Sequence, residues 1–192
     1  MIPRLHTLLR AIAVLVVAVM SGCEKTPRSP AQNEAPSKIE VAKHDDGSVK
    51  IKTSSAEFEL SPHSYLRAWL VTNGVKLALD DPGANQSGST VTVDGKSFDD
   101  FLIDPKTISI ADSNGKLGSA GKRIEALAKS AGSALEERIS VEVYDDFPTL
   151  AIWSASFQNA GSTAIKLNRV SLQEHRINAS LADSSAKPHQ LW

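Results

Sequence analysis

Cysteine is nearly absent from this sequence: 192 residues contain one, Cys23. A single thiol can form neither an intrachain disulfide nor a Cys-rich zinc site. Aromatic residues are sparse at 5%, so any surface built on ring faces must draw on three Trp, two Tyr and five Phe. Neither sign of charge is in excess, with 21 Lys+Arg against 22 Asp+Glu. That balance argues against general nucleic-acid binding, which relies on clustered cations to replace phosphate counterions. No apolar run reaches the roughly 20 residues of a membrane span. Residues 11–20 are uninterrupted by polar side chains, and that run stops at ten. The phosphate-binding Gly-x-x-x-x-Gly-Lys-Ser/Thr loop, Gly-x-Gly-x-x-Gly, Gly-x-Ser-x-Gly and His-Glu-x-x-His are all missing, and no cofactor is expected.

The N-terminus carries the first positive signal. Arg4 and Arg10 precede the ten-residue apolar run, which ends in Met20-Ser21-Gly22-Cys23. This order of charge, apolar stretch and small residues reads as an export signal over residues 1–22. Met20 to Cys23 resembles a lipobox, in which the cysteine is lipidated and becomes the new N-terminus; Met20 stands where Leu is usual. Cys23 is then a lipid-anchor site and not a nucleophile. The competing reading is an ordinary secretory signal with a chance cysteine. Loss of residues 1–22 leaves 19 positive and 22 negative charges, a balance of −3. Residues 23–40 follow as a tether, with Pro27, Pro30 and Pro36 among polar side chains. Glu24 beside Cys23, where an inner-membrane retention signal has Asp, places the expected anchor at the outer membrane, by resemblance to Gram-negative lipoproteins.

From Ile39 onward the pattern changes to short alternating runs. Val49, Ile51 and Thr53 alternate with lysines, and Phe58 and Leu60 alternate with glutamates, as half-buried strands do. Asn73-Gly74 separates two such runs, 65–72 and 75–80, and favours a type I′ hairpin because both residues tolerate positive φ. Asp94-Gly95 marks another turn. Residues 121–137 are ambiguous: Ile124, Leu127, Ala128, Ala131 and Leu135 fit a helical stripe, while Ile124, Ala126 and Ala128 alternate and Gly132 would interrupt a helix. Ile139, Val141 and Val143 alternate again, Asp145 to Pro148 turns, and residues 150–158 form a long strand. Residues 159–162 turn the chain, and residues 164–172 are expected to return it as a second hairpin. Many short strands with Gly and Asn turns indicate an all-β, antiparallel β-sandwich over residues 41–192.

Val141-Glu142-Val143-Tyr144-Asp145-Asp146-Phe147-Pro148, followed by Ser156-Phe157-Gln158-Asn159 and Gly161, resembles the N-terminal region of α-galactosidase-like enzymes, the melibiase group of glycoside hydrolase family 36. The resemblance spans roughly residues 45–192 and implies a galactose-mutarotase-like supersandwich standing before a catalytic (β/α)8 barrel. It also favours two strands over a helix in residues 121–137, with a turn near 130–133. The chain ends at Leu191-Trp192, before any barrel, so the resemblance implies a fragment that lacks the catalytic domain and a sandwich left incomplete at its C-terminus. No catalytic position of the family falls on a residue of this chain.

Independent chemistry is hard to find. Glycosidic hydrolysis needs two carboxyl groups roughly 5 Å or 6.5–9.5 Å apart. The four Asp-Asp pairs, at 45–46, 80–81, 99–100 and 145–146, sit at turns and strand ends. Adjacent strand residues face opposite sides, so they are read as turn formers. His44, His63, His175 and His189 are isolated from one another and from any metal-ligand spacing. Trp69, Trp153 and Trp192, with Tyr65 and Tyr144, are the residues from which a sugar-stacking platform could be made. Trp69 and Trp153 lie in apolar strands and are expected in the core, which leaves Trp192 and Tyr144 as the candidates for carbohydrate contact.

Three functions follow. The leading expectation is the non-catalytic sandwich of an exported α-galactosidase-like glycoside hydrolase, with a carbohydrate ligand, a membrane lipid anchor and a catalytic barrel as its partners. The second is a stand-alone surface lipoprotein that binds a glycan or a protein. A complete small enzyme is third, because no nucleophile and base converge.

Overall fold

The computed structural model describes residues 38–81, 87–113, 117 and 120–178. Within them the chain is all-β, in three antiparallel sheets. The first has the order β1 (Glu40–Lys43), β2 (Val49–Lys52), β3 (Ala56–Leu60), β4 (Leu66–Thr72) and β5 (Val75–Ala78). β6 (Thr90–Val93) and β7 (Lys96–Phe98) belong to a small third sheet. The second large sheet is built from β8 (Phe101–Ile103), β9 (Ser109–Ser113), β10 (Gly121–Ser130), β11 (Leu135–Tyr144) and β12 (Phe147–Asn159), in the order β12-β11-β10-β8 with β9 also on β10. β13 (Leu167–Ser171) completes the third sheet. A 3₁₀ turn, Pro105–Thr107, links β8 to β9; Asp104 caps it by accepting from the Lys106 N–H.

Local sequence explains most of these elements. Asn73 and Gly74 both adopt positive φ, 51° and 76°, as do Asp94 and Gly95, at 49° and 79°. Both pairs turn two-residue hairpins, β4–β5 and β6–β7. The ambiguous stretch resolves into β10 and β11, whose register runs from Gly121 opposite Tyr144 to Lys129 opposite Glu136. Strand pairing places Ile124, Ala126 and Ala128 on one side, all buried, and this period of two prevails over the helical stripe. Gly121 is required there, since a Cβ would lie 2.1 Å from the Val143 carbonyl oxygen and 3.1 Å from the Tyr144 ring.

Two expectations need correction. Residues 164–172 do not return along β12. β13 instead pairs with β6, Val170 opposite Val91. The β6–β7 turn captures the approach to β13: the Asp94 N–H donates to the Lys166 carbonyl, the Lys166 N–H to Asp94 Oδ1, and the Gly95 N–H to Asn168 Oδ1. The folded part also begins earlier than residue 41. Ile39 is buried in the core, and the Lys38 N–H donates to Asp145 Oδ1.

One core joins the three sheets. The first sheet contributes Val49, Ile51, Phe58 and Leu60, the second Phe101, Ile103, Ile139 and Val141, and the third Val91 and Val93. Each such side chain contributes about 1.5–3 kcal/mol through burial. The second sheet curls: the rings of Phe101 on β8 and Phe157 on β12 meet edge-on, centroids 5.8 Å apart, with two strands between them. Ala128 on β10 leaves the room for this closure, lying in the register row Ile103, Ala128, Glu137, Phe157.

That row puts a carboxyl group inside the protein. Glu137 is fully buried; Oε2 accepts from Ser64 Oγ at 2.8 Å and Oε1 from Ser89 Oγ at 2.6 Å. The second sheet is thereby tied to the β3–β4 turn and to the lead into β6. Burial raises the Glu137 carboxyl above its ordinary range, and the two serine bonds only partly oppose it.

Candidate functional site

Strand alternation determines what the first sheet shows to solvent. Ala56, Phe58 and Leu60 face the core, so Glu57 and Glu59 face outward. Register extends this outer face in two rows: Glu40, Lys52, Glu57, Trp69, Ala78, and Ala42, Lys50, Glu59, Arg67. Acid and base alternate across the strands, which places opposite charges side by side. Lys76 forms an ion pair with Glu57 beside Trp69. A shallow groove of about 240 Å³ opens on the same face, lined by Glu40, Val41, Ala42, Lys50, Ile51, Lys52 and Glu57.

Trp69 therefore lies opposite the core and not within it, which corrects the expectation drawn from its apolar strand. It is half-buried, and its neighbours in the row are Glu57 and Ala78. Trp153 does pack on the core. A ring on a charged sheet face offers an apolar plane fenced by hydrogen-bonding groups. Glu57 and Glu59 stand two residues apart on this face, a pair that attention to adjacent aspartates passes over. Lys76 is the counter-ion of Glu57, and the face is open to water, whereas a glycosidic acid must be kept protonated by a dry environment.

The corner of this face holds a cluster of ionisable groups. Tyr65, just before β4, falls in the alternation of Arg67 and Trp69. His175 Nδ1 lies 3.0 Å from Tyr65 Oη and 3.0 Å from Asp80 Oδ1, and the His175 and Tyr65 rings are 5.0 Å apart. Burial, together with the Asp80 carboxylate, pushes the Tyr65 hydroxyl up to about 12, so it stays protonated. The returning segment is fastened here. Gln173 Oε1 accepts from the Leu66 N–H at 2.7 Å, the Arg176 carbonyl from the Asp81 N–H, and the Leu79 carbonyl from the Asn178 N–H. Chemically the cluster is a histidine held by a carboxylate and a phenol, and its bonds attach residues 173–178 to the sheet.

Tyr144, one of the two carbohydrate candidates, is enclosed, at 0% exposure. Its hydroxyl donates to Glu142 Oε2, and Arg123 binds Glu142 Oε1 through Nε at 3.0 Å and Nη2 at 2.8 Å. The ring has no free face for a sugar. Trp192, Cys23 and His189 lie outside the described residues.

The Asp-Asp pairs divide. Asp46 accepts from the Ser48 N–H and Oγ, and the backbone bond first holds its carboxyl below the ordinary range. Asp100 accepts from Ser130 Oγ and the Gly132 N–H, each at 2.6 Å, and is lowered chiefly by Ser130. Asp145 accepts from Lys38. These are turn and loop ties. Asp80 is different, a buried partner for His175. Among the described residues no group of three or more His, Cys, Asp or Glu could hold a metal ion. Compared with protein-family models, curated proteins and solved structures, the chain matches none.

Proposed function

We propose that this chain is a non-catalytic carbohydrate-binding β-sandwich of the kind that stands before α-galactosidase-like catalytic barrels, exported and held at the cell envelope by a lipid on Cys23. The observation that carries the binding role is Trp69, a tryptophan on the outer face of the first sheet, set among Glu57, Lys76, Glu59 and Arg67. The flat side of a pyranose ring is apolar and its rim is lined with hydroxyls; the indole face matches the first, and the carboxylates and ammonium match the second. The turn-and-strand pattern around residues 141–161 supports the glycosidase association, and the anchor rests on the order of residues 1–23.

The test is titration of the full chain with galactosides and a wider glycan panel, read by tryptophan fluorescence and calorimetry. Saturable binding, lost at least about tenfold in Trp69→Ala, is expected, equivalent to roughly 1.4 kcal/mol or more. Failure of every glycan to bind, or unchanged affinity in Trp69→Ala, overturns the reading.

A further inference from the structure

β12 is the terminal strand of the second sheet, paired with β11 along one edge. Among the described residues no strand lies on its other edge, because β13 is committed to β6. An unpaired edge offers a row of backbone donors and acceptors, and proteins ordinarily guard such rows with charge, proline, bulges or short length. The other edges of this fold follow that rule: β1 carries Glu40 and Lys43, β5 Lys76, β7 Lys96, β9 Asp112 and β13 Arg169. β8 is only three residues long. β12 does not follow it, with 13 residues and no charge among them. Its one proline, Pro148, and its one register irregularity, where Val143 opposes Ala151 but Tyr144 opposes Phe147, are confined to residues 147–150, where the Pro148 carbonyl also accepts from Thr53 Oγ1; residues 151–159 carry none of these guards.

Coverage along the strand is also incomplete. Ala151, Trp153 and Phe157 pack on the core yet stay only half-buried, and Trp153 Nε1 is enclosed without an acceptor.

We infer that β12 is an interface for a second copy of this chain, the two β12 strands pairing antiparallel about a two-fold axis at Trp153. The sequence on either side of Trp153 is self-complementary in size. About that axis, within the regularly paired part of the strand, Ile152 opposes Ser154 of the other copy and Ala151 opposes Ala155. The large Ile152 of the outer face meets the small Ser154, and the two-fold axis makes the same contact twice, as in an isologous interface. A neutral strand has no like charges to set against each other in such a pairing. The result is one continuous sheet running through both copies. This inference is independent of the Trp69 face, which lies on the other large sheet.

Sedimentation equilibrium of the full chain in mild detergent tests it. A reversible dimer in the micromolar range is expected. Ser154→Lys brings two ammonium groups to diagonal positions across the axis, within roughly 8 Å, and should weaken the dimer at least about tenfold, ~1.4 kcal/mol. Circular dichroism should show the variant folded. Amide exchange gives an independent reading, with β12 edge protons protected in the parent at high concentration and exposed in Ser154→Lys. A parent that stays monomeric throughout, or a dimer that Ser154→Lys leaves intact, overturns the inference.

Discussion

The two large sheets have five strands each and both pair acids with bases across their strands, but they differ in what they put at the edge and in the interior. The first keeps its strands to four to seven residues, guards both edges with ionisable side chains and pairs acids with bases on its solvent face. The second contains strands of ten and thirteen residues, turns a glutamate into the interior and leaves a neutral strand at its edge. Charge outside a sheet is nearly neutral in energy and free to serve recognition. Charge inside must be satisfied, and its protonation becomes part of stability.

The largest effect should come from the closure of the second sheet. Phe101 is fully buried and meets Phe157 edge-on. Phe101→Ala is expected to cost about 3–5 kcal/mol, read from urea unfolding. Similar losses from Trp69→Ala would show that the first sheet's outer face is structural, and the contrast would fail.

Next is the buried acid. Because the Glu137 proton is held more tightly in the folded chain than in the unfolded one, this group favours folding most below the unfolded value near 4.5. That contribution is lost as pH rises through the folded value. Glu137→Gln should flatten this part of the pH–stability curve. Ser89→Ala removes one of the two hydroxyl donors and should cost about 1–3 kcal/mol at neutral pH and less near about pH 4. Denaturation midpoints across that range give both results. Equal loss at the two pH values would mean that Glu137 stays protonated throughout.

The smallest effect belongs to the solvent face. The Lys76–Glu57 pair has 55% and 23% of its side chains exposed. Lys76→Ala should change stability by less than about 1 kcal/mol, and salt should shrink the difference further.

Features written in local chemistry were legible in the sequence. Asn73-Gly74 fixes its hairpin by φ preference, and the alternation of Ile124, Ala126 and Ala128 outweighs helical propensity once Gly132 ends the run. Features set at long range were not. Nothing in residues 164–172 states that their partner is β6, because that choice is made by Asp94 and Gly95 capturing Lys166 and Asn168. Trp69 looked like core because its strand, Leu66–Thr72, is mostly apolar. The alternation of Glu57 and Glu59 on the neighbouring strand held the missing signal, since cross-strand partners share a face. His175 looked isolated because its companions, Tyr65 and Asp80, lie about a hundred residues away. Ser64 and Ser89 gave no sign of a shared carboxylate for the same reason.

The β10–β11–β12 meander has a consequence for the order of folding. Its pairings join neighbours in the chain through short turns, so their loop-closure cost is low and they can form early. The β13–β6 pairing closes a loop containing the whole meander and carries the larger closure cost. A chain emerging N-terminus first therefore presents its neutral strand before β13 is available to pair. For a period the meander stands as a finished sheet on an unfinished protein.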